Sequence, residues 1–484
     1  MCLPSLRFIK CCQFTLVVFV VSLGSGLAHA RELSFVWSQD AYWSELETRY
    51  GELRAGGCQD TKLNLAAHLH EADALLQRIA HVQLAPDASE FADLEHWLFE
   101  LGPIVGACKE GLLEYIRLVT DIRSVVKQQS EHWDMTTDTA RITLYRLLYG
   151  GRAALEEIMA QVPAGTVPAL TMETNEPSTT PSIEIKGVRV HSGDILVSRG
   201  GAATSALIAR GNDYPGNFSH IAFVYVEPTT HKALVVESHI EVGVVVSEVE
   251  DYFADKKLRV MLLRLRADLP FMQRDPMLPH KAALLAYKGA TEAHIPYDFA
   301  MDYKDHSRLF CSEVASAAYE QVGIHLWARM SHMSSPGLQR WLKGFGVRYF
   351  ETQEPSDLEY DPQLRVVAEW RDPETLRQDR MDNAVTDVML EGAETGDDLS
   401  SRGYLLPVAE LAKGYSRLLN TFGKPGPIPE GMPSSAALYS YNYDSMHKML
   451  KGKLIIKAGR FRKEHGYEPP YWTLVRLARE VKKR

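Results

Sequence analysis

The chain has 484 residues, a formal net charge of -9 and 45% hydrophobic residues. That length supports two or three domains with cores of their own. The composition is ordinary for a soluble globular protein and excludes a disordered or collagen-like chain. No cofactor and no nucleic-acid partner are expected.

Residues 1–30 read as a secretory signal peptide. Arg7 and Lys10 form a short positive start, and an apolar run extends from Phe14 to Leu23. Ala28-His29-Ala30 then supplies a small-x-small cleavage signal before Arg31. The apolar run is short for a membrane span, and no other stretch of about 18 apolar residues occurs. An exported protein of the bacterial periplasm or cell envelope is the expectation. Cys2, Cys11 and Cys12 would leave with the leader, so Cys58, Cys108 and Cys311 remain. In an oxidising compartment Cys58 and Cys108 could pair, leaving Cys311 as an odd thiol.

Residues 31–162 are predicted to be an all-helical domain. Leucines at 63, 65, 69, 75 and 76 recur near helical spacing, as do apolar residues from Leu112 to Val119. Pro163, Pro168, Pro177 and Pro181 mark residues 163–182 as a linker with little to bury. From Ile183 to Leu265 the period turns strand-like, with β-branched runs at Ile195 to Val197, Ile221 to Val226 and Ala233 to Val236. Helices are expected over 277–290, from Cys311 to a stop near Gly323, and over 372–391. Residues 351–484 are predicted to be a mostly helical extension. Its tail, 448–484, holds 12 Lys/Arg against 3 Glu. Such a tail suits an anionic contact, either a membrane surface or the acidic body of the chain itself.

Cysteine hydrolysis needs a thiol of lowered pKa, an imidazole beside it and a polar group to orient the imidazole. Cys311 falls at the first turn of a predicted helix, where partial positive charge favours a thiolate. A buried structural cysteine is the alternative. His220 opens an apolar strand. If the following turn is centred between Thr229 and Thr230, His220 faces His239 and Ala222 faces Glu237. His220 and Glu237 are then diagonal neighbours on one face. A slip of one residue would send Glu237 to the other face. His239 is a rival for either role. Neither an HExxH zinc motif nor a GxxxxGK[ST] phosphate loop is present, so no metal is expected.

The order of motifs is similar to that of NlpC-like hydrolases. His191-Ser192-Gly193-Asp194-Ile195-Leu196 resembles their "GDI/L" strand, and Ser219-His220 their histidine motif. Pro296-Tyr297-Asp298-Phe299 and Phe310-Cys311-Ser312-Glu313 resemble segments of the YiiX type, although Phe310 stands where Tyr is frequent. In that branch the papain-like domain is circularly permuted, and here His220 precedes Cys311 by 91 residues. The resemblance implies an α+β, permuted papain-like domain, assigned to 183–350; the N-terminal helical domain and the C-terminal extension lie outside the resemblance. It implies hydrolysis of amide bonds, peptide or N-acyl, through an acyl-enzyme, or acyl transfer. Cys311 would be the nucleophile, His220 the base and Glu237 its orienting group. Asp194, His239 and Tyr297 would support the site, with a core role open for Tyr297. Substrates would be envelope peptides, acylated amines or lipids. A non-catalytic module binding an acyl chain or envelope peptide is the rival reading.

Overall fold

A computed structural model describes residues 41–58, 61–163, 165–255, 257–400, 405–422 and 424–483. The predicted signal peptide lies outside the described residues.

The N-terminal part is helical, as its periodicity predicts. Helices run over Ala41–Gly56, Thr61–Ala80, Ser89–Cys108, Leu112–Ser130, Asp138–Leu144 and Gly151–Gln161. On Leu112–Ser130 the buried residues Tyr115, Ile116, Val119, Ile122 and Val126 recur at three- and four-residue steps. This stripe packs with Leu76, Leu94 and Leu98 into one apolar cluster. Thr137 caps the Asp138 helix by accepting from the Ala140 N–H. Cys58 and Cys108 form a disulfide, with Cα atoms 5.6 Å apart.

Seven antiparallel strands make the central sheet. In spatial order they are Leu170–Met172, Leu364–Arg371, Lys257–Leu265, Ile195–Gly200, His220–Val226, Ala233–His239 and Gly243–Glu248. Alternation sends Ile195, Val197, Ile221, Phe223 and Val236 to one face and Leu196, Ala222, Val224 and Val235 to the other. Both faces are covered, which explains why these strands read as continuous apolar runs. Each fully buried Ile, Val, Leu or Phe among them contributes about 1.5–3 kcal/mol.

Two segments depart from the sequence reading. The expected linker contributes an edge strand, Leu170–Met172, paired with Leu364–Arg371. The sheet also extends past residue 350, because Leu364–Arg371 pairs with Lys257–Leu265. Its apolar positions seal one more edge of the sheet.

Helix Cys311–Glu320 lies against the first face of the sheet. Phe223 and Tyr319 rings are 5.2 Å apart, and Val314 and Ala315 are buried there. The Tyr319 hydroxyl donates to the Gly193 carbonyl at 2.6 Å. Gly193 has φ +97°, and a Cβ there would sit 2.3 Å from the Pro279 Cβ. Only glycine satisfies both demands in this turn.

After the last strand come helices Pro373–Glu394, Leu406–Asn420, Ser434–His465 and Tyr471–Lys482. Trp341, Met389, Tyr443, Leu454 and Val475 knit three of them to Pro336–Phe345. Among the described residues no helix is long and apolar enough to cross a membrane.

Candidate active site

The strand pair that carries His220 and Glu237 has the register expected from its turn. Phe223 pairs with Val236, Val224 with Val235 and Tyr225 with Leu234. The His220 Nε2 and a Glu237 carboxylate oxygen are 2.7 Å apart. The other Glu237 oxygen accepts from Ser247 Oγ at 3.0 Å and lies 3.3 Å from His239 Nε2. The two imidazole centroids are 5.4 Å apart. One carboxylate therefore serves two histidines.

That sharing separates the two rings electrostatically. Burial works to raise the Glu237 pKa, but hydrogen bonds from His220 and His239 hold it well below the usual carboxylate range. Burial lowers the His220 pKa, and the Glu237 bond offsets this only in part. At His239 burial also acts downward, yet the bond and charge of Glu237 win and raise its pKa. His239 thus takes the proton more readily, and His220 stays neutral as a base must.

Cys311 is the first residue of its helix, as its sequence setting predicts. Two bonds fix that start. The Phe310 N–H donates to Glu313 Oε2 at 2.9 Å, and Ser238 Oγ donates to the Leu309 carbonyl at 2.6 Å. The second ties the thiol's loop to the strand of Glu237. The thiol lies 3.9 Å from the Ser219 carbonyl and also meets the backbone N–H of Ile221. It therefore touches the main chain on either side of His220. Within the described residues Cys311 is the free cysteine.

The thiol is not the lowered-pKa group that the helix start predicts. Burial, helped by the negative charge of Glu354, pushes it up to about 12. The bonds from Ile221 and Ser312 act the other way and do not compensate. At rest the pair is a neutral thiol and a neutral imidazole.

Tyr297 is buried near Cys311, close enough for the sulfur's charge to raise its pKa, after burial as the main cause. Asp194 is elsewhere. It makes a two-pronged pair with Arg264, at 2.8 Å on both oxygens, and accepts from the His191 N–H. Its part is to hold the Gly193 turn.

Glu354 escaped the sequence reading. It is buried, its Oε2 has no hydrogen-bond partner, and burial holds its pKa well above the ordinary range. It reaches Cys311 from a segment beyond residue 350, and no local pattern announces it. Glu354 and Tyr297 also line a cavity of about 440 Å³. Leu207, Phe299, Met333 and Phe345 give it apolar walls, Tyr441 arrives from helix Ser434–His465, and Met432 from the segment just before that helix. Its carboxyl-bearing lining residues are Glu241, Glu354 and Asp444, and no Lys or Arg lines it.

The ligand atoms of His220, Glu237 and His239 all lie within 4.8 Å of one another and could hold a metal ion. Two nitrogens and one carboxylate suit a divalent ion such as zinc. An ion there would compete for the His220 Nε2 that Glu237 now engages.

Residues 189–368 match the family described as permuted papain-like amidase enzyme, YaeF/YiiX, C92 family. This stretch is a permuted papain-like amidase domain. One solved structure, that of the metalloprotein YiiX from Escherichia coli O157:H7, is similar at 20% identity, covering 37% of this chain and 97% of its own, with a TM-score of 0.31. No curated protein matches the chain. The amidase domain includes Glu354 and most of the Leu364–Arg371 strand. It leaves out the N-terminal helices and the helices from Pro373 onward.

Proposed function

We propose that the chain is an exported thiol amidase of the cell envelope. The observation that carries this reading is the His220–Glu237 pair at 2.7 Å, with Cys311 against the backbone on both sides of His220. As the Cys311 sulfur attacks the amide carbon, His220 takes the thiol proton. The carbonyl π electrons move to oxygen, which the Cys311 N–H at the helix start can face. The oxygen lone pair then re-forms the carbonyl, the C–N bond breaks, and His220 returns the proton to the leaving amine. Water attacks the thioester, His220 accepts its proton, and the acid leaves as the thiol is regenerated. Glu237 keeps the imidazole in the required tautomer throughout.

The apolar cavity favours an acylated amine over a peptide. Its lining offers carboxyl groups and no cation, so it gives an anionic substrate no partner and suits a neutral or amine-bearing one.

A second reading has one observation behind it. A thiol pushed up to about 12 is what a binding pocket without turnover would also show. The two separate on a fluorogenic N-acyl amide and its Cys311→Ala variant. The amidase reading expects wild-type turnover and none in the variant, with unchanged circular dichroism. Turnover that survives the substitution rules it out. Binding of an acyl probe with no wild-type turnover supports the pocket alone.

A further inference from the structure

Ten of the fifteen large hydrophobic side chains exposed among the described residues lie between positions 406 and 456. None of these ten belongs to the amidase domain. They concentrate on two helices.

Helix Leu406–Asn420 is amphipathic the wrong way round. Its buried residues are Ala409, Lys413 and Ser416. Val408, Leu411, Tyr415 and Leu418 point outward at helical spacing, and Phe422 continues the stripe just past the helix end. Leu411 is 77% exposed and Phe422 72%. A helix meant only to pack on its own protein would turn these side chains inward. A contiguous exposed apolar stripe marks a surface that something else covers.

Helix Ser434–His465 shows the same pattern with charge added. Tyr443, His447, Leu450, Leu454 and Ala458 are buried on one side. The opposite side carries exposed Tyr441, Met449, Ile455 and Ile456. Exposed Lys448, Lys453, Arg460 and Lys463 stand among them and make no ion pair within the described residues. Other cations of the tail are spent on the protein itself: Lys451 on Asp382, Arg479 on Glu391 and Lys482 on Asp397. The acidic body thus takes part of the basic tail, and the outward face keeps the rest. Residues 406–465 hold ten Lys/Arg against four Asp/Glu, in a chain of net charge -9.

We propose that these two helices form a docking surface for an anionic lipid bilayer. Apolar side chains interleaved with cations are what an interfacial helix presents to headgroups and acyl chains. The same surface adjoins the cavity. Tyr441 is exposed and also lines it, together with Met432 from the segment that joins the two helices. A docked bilayer would lie at one mouth of the pocket that reaches Tyr297 and Glu354.

The test is flotation of the full chain with vesicles, one set of phosphatidylcholine alone, the other with equal parts phosphatidylglycerol. Both the wild type and Cys311→Ala are used, so the result does not depend on the amidase reading. Both proteins should float with the anionic vesicles and not with the neutral ones, and high salt should weaken binding. Leu411→Ser with Leu418→Ser and Phe422→Ser should abolish flotation. Lys448→Glu with Lys453→Glu should cut it several-fold, a second variant that leaves the apolar stripe in place. Absence of wild-type flotation overturns the proposal, as does equal flotation of the serine variant. A wild-type dimer that the serine variant dissolves, without vesicle binding, also overturns it and assigns the face to a second copy.

Discussion

His220 and His239 compete for one carboxylate, and their opposite pKa shifts have a kinetic consequence. The working base is neutral His220, whose pKa burial holds below the ordinary value of about 6.5. Turnover should rise with pH through that lowered value and then stay level through neutrality. No fall near neutral pH is expected, because the thiol remains protonated up to about 12. Glu237 acts on His220 in the upward direction. Glu237→Gln should therefore move the rising limb to lower pH while reducing kcat at least about tenfold, as loss of an orienting carboxylate does. A pH–rate profile of the two proteins decides the matter. A variant with reduced kcat but an unmoved profile would make Glu237 a packing residue. The protonated thiol also changes what alkylation can show: slow reaction with iodoacetamide at neutral pH is expected even of the catalytic form.

The start of the Cys311 helix depends on Glu313, which accepts from the Phe310 N–H. Burial pushes the Glu313 pKa up to about 9, so at neutral pH the cap is a neutral acid. Glu313→Gln should then leave stability within about 0.5 kcal/mol of wild type, whereas Glu313→Ala should cost about 1–2 kcal/mol by losing the cap. Urea unfolding at pH 7 measures both; equal losses would show that the carboxylate charge matters after all. The helix itself was legible, since Cys311 to Glu320 is a run of good helix formers ending before Gly323. The hairpin was legible too, but its register only on the condition that the turn is centred between Thr229 and Thr230, which the pairing of Phe223 with Val236 meets. Glu354 and the Leu364–Arg371 strand were not legible. Nothing local distinguishes LRVVAEWR as the strand that joins an already complete-looking sheet. The Cys311 pKa was misread for a similar reason: helix position is local, whereas burial and the Glu354 charge are delivered by distant chain.

The three parts of the chain from residue 41 onward are joined by buried charge as well as by apolar packing. Glu369, on the sheet, lies 3.1 Å from Arg123 and 3.5 Å from Arg152, both on N-terminal helices, and 3.4 Å from Arg371. Arg259, also on the sheet, reaches Asp379 of helix Pro373–Glu394 at 2.7 Å. Burial works to raise the Glu369 pKa, but the charges of Arg371, Arg152 and Arg123 outweigh it and hold it far below the ordinary range. A carboxyl whose pKa is depressed on folding contributes stability above its unfolded value of about 4.3. That contribution declines as pH falls below this value towards the folded pKa. Thermal midpoints should accordingly drop on acidification below about pH 4.3, more steeply for wild type than for Glu369→Gln. At pH 7 the same substitution leaves several buried guanidinium groups short of a counter-charge. It should cost about 3–5 kcal/mol, the usual price of breaking one side of a buried ion pair. Denaturant unfolding at pH 7 together with midpoints at pH 7 and in mild acid measures both effects. A variant within about 0.5 kcal/mol of wild type, with the same acid slope, would mean that apolar contacts alone fix the helices to the sheet. The expected result makes Glu369 the residue through which the N-terminal helices hold strand Leu364–Arg371, and through it the sheet that carries His220.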